Sequence, residues 1–201
     1  MDGQYFLLGH QEGWNMLSHP VIFRQQGFTL LELMIAVAVL SILLSVGVPS
    51  LKAWILNTKI RTTAEAMQNG LQLARAEAVR RNERVRFVIS GGTGWIVQTD
   101  AGTAIQTRPS GEGSSNVAVA VTPNGATTVT FNSFGQSVFN TDASASITQL
   151  NIDAPTAVLS AAESRELRIQ VSSSPAATVL GGGQIRMCDP YFTTAGDPRA
   201  C

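Results

Sequence analysis

Histidine, cysteine and charged side chains are scarce in this sequence, and that scarcity limits the chemistry open to it. The 201 residues include two histidines, His10 and His19, so none follows residue 27. The only cysteines are Cys188 and Cys201. Beyond residue 27 these counts exclude a Ser-His-Asp triad, a Cys-His pair and a histidine-built zinc site, and two thiolates do not complete a tetrahedral metal shell. We therefore expect neither catalysis nor a metal or cofactor.

Other signatures of catalysis are also missing. The acidic residues are scattered in no recognisable arrangement, and no glycine-rich phosphate loop opens a predicted helix. The triple glycine at 181–183 precedes a strand-like segment, so we interpret it as a hairpin turn. The formal net charge is zero, which argues against a strongly basic DNA-coating protein and against an acidic tail.

The sequence does contain one long apolar run, from Phe28 to Val48, that carries a single charged residue, Glu32. As a helix this run spans about 31 Å at about 1.5 Å per residue, which matches the hydrocarbon core of a bilayer. The run is longer than the core of a secretory signal and continues into Pro49, so we expect a retained membrane anchor. An acid inside a membrane costs about 3 kcal/mol or more, which indicates that Glu32 has a use and a partner.

The charges beside the run leave its orientation open. Arg24 is the only lysine or arginine before it, whereas Lys52, Lys59 and Arg61 follow it closely. A count of positive charges would place the C-terminal side of the run in the cytoplasm. Charge alone does not settle which end lies inside.

Beyond Pro49 the pattern becomes one-sided and predicts an amphipathic helix, with apolar residues at three- and four-residue steps and polar residues on the other faces. The expected buried face consists of Leu51, Trp54, Ile55, Ile60, Ala64, Met67, Leu71, Ala74 and Ala78. This pattern joins the membrane segment, so we expect one helix from near Phe28 to near Arg81. It should bend at Pro49, because proline removes a backbone hydrogen bond and crowds the preceding turn.

Arginines crowd the end of the predicted helix, at Arg75, Arg80, Arg81, Arg84 and Arg86. Glu77 and Glu83 lie among them, so one interpretation is a solvated helix terminus whose cations interact favourably with the helix dipole. The other interpretation is a basic patch for a partner or for DNA.

After Asn82, short β-like runs alternate with turn residues. Seven strands are predicted, at 84–90, 94–99, 116–122, 126–131, 146–152, 166–172 and 183–188. Glycine and proline mark turns at 91–92, 123–125 and 181–183, and the segments 107–115 and 155–163 are expected to be surface loops. A small antiparallel sheet cannot easily bury its apolar face alone, so we expect the amphipathic helix to cover it.

The two cysteines indicate a compartment. Cys188 ends the last predicted strand and Cys201 is the final residue, so a disulfide between them would tie down the intervening segment. On the chain-entropy estimate such a bridge contributes about 3 kcal/mol. We favour the bridge, with two free thiols as the alternative, and a bridge implies an oxidising compartment such as the periplasm.

The segment "GFTLLEL", from Gly27 to Leu33, followed by the apolar helix and Pro49, closely resembles the type III signal of type IV prepilins and pseudopilins. Three further segments resemble the GspH/FimT branch of minor pilins, namely "ARAEAVRRN" at 74–82, "VTFNSFGQ" at 129–136 and "GQIRMC" at 183–188.

The resemblance implies an α+β, type IV pilin-like fold. In such a fold a long N-terminal helix, membrane-spanning in its first half and amphipathic in its second, packs on a small antiparallel β-sheet domain with a C-terminal disulfide loop. The implied parts are a leader peptide at 1–27, a transmembrane half-helix at 28–49, an amphipathic half-helix at 50–82 and a periplasmic β domain at 83–201.

The resemblance also implies processing. In that family a prepilin peptidase cuts after the glycine on the cytoplasmic side and methylates the new amine, here between Gly27 and Phe28, so the N terminus lies inside. The amine of a subunit already in the filament would then neutralise Glu32 of an incoming one, which offsets the cost of burying that charge. The alternative is that Glu32 interacts only with its own helix N terminus.

The leader departs from the family pattern, in which leaders are short and basic. This one has 27 residues and contains Asp2 and Glu12. A start at Met16 would leave "MLSHPVIFRQQG", and we expect the true start there.

By resemblance the chain is a minor pilin of a bacterial type IV pilus, held in the inner membrane before it joins or primes the pilus, with roles in assembly, twitching motility, adhesion or DNA uptake. Its implied partners are other major and minor pilins, the prepilin peptidase and the inner-membrane assembly platform. The alternative is the H-type pseudopilin of a type II secretion system.

DNA binding is a separate hypothesis. Some relatives in the FimT branch bind DNA through a C-terminal Gly-Arg-x-Arg pattern, whereas the matching place here reads Gly183-Gln184-Ile185-Arg186, with the first arginine replaced. Arg186 and Arg199 remain as candidate phosphate contacts.

Overall fold

The computed structural model describes residues 27–171, 182–194 and 196–201. Apart from Gly27, the predicted leader lies outside these residues, and so does the alternative start at Met16. Gly181, the first residue of the predicted glycine turn, is also outside them. By their contacts, the residues form two compact units, one ending at Leu43 and the other running from Leu44 to Cys201.

One long helix, α1, covers Leu30–Arg81, as the sequence predicted. It begins after Thr29, whose hydroxyl accepts a hydrogen bond from the backbone N–H of Glu32 (3.2 Å), the usual role of an N-cap residue. Asn82, the residue directly after its end, adopts a left-handed φ of 55°. There Asn82 N–H donates to the Val79 carbonyl and Glu83 N–H to the Ala78 carbonyl (both 3.3 Å), a Schellman arrangement that closes the last turn.

The first part of α1 is long and apolar enough to cross a membrane. In the unit ending at Leu43, nine large apolar side chains of the helix are more than half exposed. They are Leu30, Leu31, Leu33, Met34, Ile35, Val37, Leu40, Ile42 and Leu43. Apolar exposure of this extent is typical of a surface that meets lipid or other proteins. The helix is assigned without a break through position 49, and the predicted bend at Pro49 stays a prediction.

Nine strands follow the helix within the described residues. They are β1 Val85–Ile89, β2 Trp95–Thr99, β3 Ala104–Arg108, β4 Ala118–Thr122, β5 Thr128–Phe131, β6 Ser137–Val138, β7 Gln149–Asp153, β8 Leu167–Val171 and β9 Ile185–Cys188. They form a five-stranded sheet in the order β3-β2-β1-β5-β6 and a four-stranded sheet in the order β4-β7-β8-β9. Each pair of neighbouring strands is antiparallel.

All seven predicted strands are present, but they belong to two sheets rather than one, and two more strands join them. The prediction of a loop over 107–115 was wrong at its start, because Thr107 and Arg108 lie in β3. β3 pairs with β2 through a register irregularity between Val97 and Gln98, and its own residues alternate poorly between apolar and polar. Pairing with a neighbouring strand, not local pattern, therefore creates β3.

In the second unit the helix and both sheets share one apolar core. Six of the nine predicted face residues are buried there, namely Ile60, Ala64, Met67, Leu71, Ala74 and Ala78, and Leu56 joins them. The helix approaches the five-stranded sheet closely at Gly70, where an added Cβ would lie 2.9 Å from the Phe87 ring and 3.0 Å from the Trp95 ring.

The predicted buried face was wrong at its beginning. Leu51, Trp54 and Ile55 are 58%, 68% and 47% exposed. Their spacing fits an amphipathic helix, but in the described residues the β domain covers the helix fully only from Leu56 onward. A helical period shows which residues share a face and not how far along the helix a partner reaches.

We expect Thr63→Val to stabilise the protein by about 1 kcal/mol. Thr63 is 1% exposed, and its hydroxyl has no hydrogen-bond partner among the residues described. A buried hydroxyl without a partner costs about 1–3 kcal/mol, and valine has nearly the same shape. Thr62→Val is the matched control, because Thr62 is exposed and donates to the Lys59 carbonyl (3.1 Å). Chemical denaturation of both variants measures the difference, and equal effects would contradict it.

Candidate functional site

The segment before and at the start of α1 is the strongest candidate site. Thr29 and Glu32 stand three residues apart, and the Thr29 hydroxyl accepts the Glu32 backbone N–H. This is one half of a capping box, in which a glutamate or glutamine at the third helical position reaches back to the cap residue. The N-cap role of Thr29 was not predicted from the sequence, although the spacing of threonine and glutamate in "TLLE" is the signal for it.

Glu32 itself lies among exposed apolar side chains. Leu30, Leu31 and Leu33 are 77%, 67% and 61% exposed. In the part of the chain that the structure describes, the Glu32 carboxylate has no ion-pair partner. A carboxylate in such surroundings is available to a cation from outside these residues.

Gly27 makes no packing demand on the fold. A Cβ at Gly27 would meet no heavy atom within 4 Å, and its φ lies outside the left-handed region. Neither close packing nor backbone conformation therefore requires glycine at this position.

The arginines at the end of α1 are mostly paired. Glu77 accepts from Arg80 (2.6 Å) and Arg81 (2.7 Å), and hydrogen bonds from Arg80 and then Arg81 lower the pKa of Glu77 to about 2. Glu77 therefore stays ionised at neutral and mildly acidic pH. This arrangement fits the interpretation of a solvated helix terminus.

Arg86 is also engaged, since it donates to the Asp100 carbonyl (2.9 Å). Arg75 and Arg84 have no side-chain hydrogen bond or ion pair to any described residue. If this end of the helix is a basic patch, Arg75 and Arg84 are the arginines in it that no described residue engages.

The C-terminal residues form a closed loop. Cys188 and Cys201 are joined by a disulfide, as predicted, so the alternative of two free thiols is wrong. The Arg186 guanidinium donates to the carbonyls of Pro198 (3.1 Å) and Ala200 (2.6 Å). A side chain of the last strand therefore holds the same loop that the disulfide closes.

Arg199 is occupied within the loop as well. Its guanidinium pairs with Asp197 (2.9 Å) and stacks over the Phe192 ring at 3.9 Å. The hydrogen bonds from Arg199 lower the pKa of Asp197. Arg186 and Arg199, the candidate phosphate contacts, thus both bind groups of the loop, and a DNA contact through them stays a prediction.

The acidic and sulfur-containing side chains of the described residues do not form a metal site. Within the described ranges, no three His, Cys, Asp or Glu side chains come together in a group that could hold a metal ion.

Comparison with known families gives two matches. Residues 63–174 match the family described as type II transport protein GspH, which is more than half of the 201 residues. Residues 22–48 match the prokaryotic N-terminal methylation motif, which includes Gly27, Phe28 and Glu32. No curated protein and no solved structure matches the chain.

Proposed function

Because this chain belongs to the GspH family, we propose that it is a minor pilin, a structural subunit of a bacterial type IV pilus. The family and the methylation motif make it a pilin-like minor pilin or pseudopilin with a membrane anchor. Families of this type are structural. The observation that carries the finer proposal is Glu32, a single carboxylate at the start of an exposed apolar helix that has no ion-pair partner among the described residues.

The proposed membrane topology follows from the apolar first half of the helix and from the disulfide near the C terminus. Residues 28–49 would lie in the inner membrane with the N terminus in the cytoplasm, residues 50–82 would continue outside it, and residues 83–201 would form a periplasmic domain. The disulfide between Cys188 and Cys201 supports an oxidising compartment for that domain.

Assembly in this proposal depends on charge neutralisation. Cleavage between Gly27 and Phe28 would create a cation on Phe28, and the amine of a subunit already in the filament would pair with Glu32 of the next. Pairing offsets much of the cost of holding either charge in the membrane. The partners are other major and minor pilins, the prepilin peptidase and the assembly platform of the inner membrane.

The role of Gly27 supports processing by a peptidase. Since no described residue near Gly27 requires glycine there, we attribute this glycine to an enzyme that must approach the chain at this point.

We expect the mature protein to begin at Phe28 with one methyl group on its amine. The measurement is the intact mass of the chain purified from cells that contain a prepilin peptidase and from cells that lack it. Gly27→Val should reduce cleavage at least tenfold, because a branched side chain would crowd the scissile bond. Gly47→Ala is the matched control, since a Cβ at Gly47 also meets nothing within 4 Å. Retention of the residues before Phe28 in cells that process other prepilins would overturn the proposal.

A second candidate is the H-type pseudopilin of a type II secretion system. The description of the matched family, type II transport protein, favours it. The two functions place the chain in different filaments, a surface pilus or the pseudopilus of a secretion system. Recovery of the chain in surface pili sheared from cells therefore supports the pilus. Loss of protein secretion on deletion, with pili unchanged, supports the alternative.

A further inference from the structure

The turn between β5 and β6 presents an aromatic ring on a rigid support. Five hydrogen bonds hold this turn, all involving Asn132. Its side-chain oxygen accepts from the N–H groups of Phe134 and Gln136 (both 3.0 Å), and its side-chain amide donates to the Gln136 side chain (3.2 Å). Its backbone N–H donates to the Gln136 carbonyl (3.0 Å), and its carbonyl accepts from Gly135 (2.9 Å). An asparagine that bonds to backbone groups ahead of it in this way fixes the turn conformation.

Phe134, at the tip of this turn, is 81% exposed, whereas Phe87 and Phe131 are fully buried. A polar residue at position 134 would keep the same backbone bonds, so the ring contributes little to folding. Covering an exposed phenylalanine side chain is favourable, and because the turn is rigid, little conformational freedom is lost when a partner does so.

The neighbours of the turn that carries this ring are apolar with a basic edge. The turn packs on α1 at Gly135, where an added Cβ would lie 3.1 Å from Arg75 and 3.3 Å from Val79. Val79 is 52% exposed. Arg75, Val79 and Ile185 also line a shallow groove of about 480 Å³. We call Phe134, Val79, Ile185 and Arg75 the Phe134 surface.

The charge on this surface selects the partner's chemistry. Arg80 beside the groove is neutralised by Glu77, but Arg75 is exposed and has no partner of its own among residues 27–171, 182–194 and 196–201. A free guanidinium next to exposed apolar groups is complementary to a carboxylate at the edge of an apolar site.

We propose that the Phe134 surface docks a neighbouring subunit of the same filament, with Phe134 entering an apolar site and Arg75 pairing with a carboxylate beside it. This proposal rests on the proposed function. Aromatic and arginine side chains dominate the energetics of such contacts.

Nucleic acid fits this surface less well. A single ring is a small stacking platform, and Glu77 and Glu83 neutralise part of the positive charge of the helix-end arginines. A protein partner uses the ring, Val79 and Arg75 together.

The test is site-specific photo-crosslinking of the full chain in cells that assemble the filament. A photoreactive phenylalanine analogue replaces Phe134 in one strain and Phe139, which is 51% exposed, in a matched strain. We expect at least ten times more cross-linked product at position 134. Mass spectrometry should identify the partner as another filament subunit, cross-linked at an apolar segment that contains a carboxylate.

Charge and ring are then tested separately. Arg75→Glu should lower the cross-link yield at position 134 at least tenfold, because two carboxylates would face each other. Phe134→Ser should reduce co-purification with the same subunit at least tenfold, whereas Phe139→Ser should not. Because Phe134 is exposed, thermal unfolding of Phe134→Ser should equal that of the unaltered chain.

Equal cross-linking at positions 134 and 139, in a chain that is cleaved and recovered in filaments, would overturn this inference and leave the proposed function standing. A cross-link from position 134 to DNA, weakened by added salt, would also overturn it. Absence of the chain from filaments would instead contradict the proposed function itself.

Discussion

A chain in which alanine replaces Gly183 is expected to lose about 3 kcal/mol of stability or more and to unfold at a markedly lower temperature. Gly183 is buried and has a left-handed φ of 65°, which costs an alanine about 1–2 kcal/mol. In addition, its Cβ would overlap the carbonyl oxygen of Gly135 and approach the Cα of Gln136 to 3.3 Å. Overpacking costs about 1–3 kcal/mol, and here the obstacle is backbone, which cannot turn away as a side chain can.

Gly182→Ala is the matched control for this prediction. A Cβ at Gly182 would meet no heavy atom of the described residues within 4 Å, and Gly182 is exposed. We expect it to change stability by less than about 0.5 kcal/mol, as most surface substitutions do. Thermal unfolding separates the two, since about 3 kcal/mol corresponds to a shift in Tm of roughly 6–12 °C for a domain of this size. Similar Tm values for both variants would show that Gly183 does not pack against the turn between β5 and β6 as described.

Gly183→Ala should also disturb the Phe134 surface. Gly135 belongs to the turn that carries Phe134, and Gly183 begins the segment that leads into β9. Movement of either backbone would shift the ring relative to Arg75. A loss of cross-linking at position 134 should therefore accompany the loss of stability.

The second large effect is expected from Glu32→Gln, which should lower incorporation into filaments at least tenfold while leaving synthesis, cleavage and membrane insertion intact. Glutamine serves in a capping box as glutamate does, so the start of α1 should be preserved. What glutamine lacks is the charge. A tenfold loss corresponds to about 1.4 kcal/mol, which is modest for a charge pair inside a membrane.

Two further variants make this result interpretable. Thr29→Ala removes the cap seen at the helix start but keeps the carboxylate, so incorporation should fall less than with Glu32→Gln. Glu65→Gln removes an exposed acid that pairs with Arg61 (2.9 Å) on the outer face of the helix and should leave incorporation unchanged. The measurement is the amount of each variant in sheared filaments relative to the membrane fraction. Normal incorporation of Glu32→Gln would restrict Glu32 to its own helix N terminus.

Sequence patterns that extend over many residues predicted their structure well. The long helix was expected from near Phe28 to near Arg81 and covers Leu30–Arg81. The seven predicted strands and the disulfide were also found. Each of these features has a local or periodic signal, such as repeated apolar spacing, turn residues at both ends, or two cysteines with no other role.

Short elements escaped prediction because their signal is not local. β6 consists of two residues, Ser137 and Val138, and exists because it pairs with β5. The capping spacing in "TLLE" is recognisable from the sequence. By contrast, nothing around Asn132 indicates that its side chain holds a whole turn in place.

By itself, therefore, the sequence determined the apolar anchor with its single acid, the amphipathic helix, most strands and the cysteine pair, because these depend on residue type and spacing along one segment. Tertiary structure decided where burial of the helix begins, at Leu56, and why Gly183 must be glycine. It also decided that Arg186 holds the C-terminal loop and that Phe134 stays exposed on a turn that packs against Arg75. These features depend on which distant segments contact each other. The spacing of residues within one segment does not reveal which other segment it contacts.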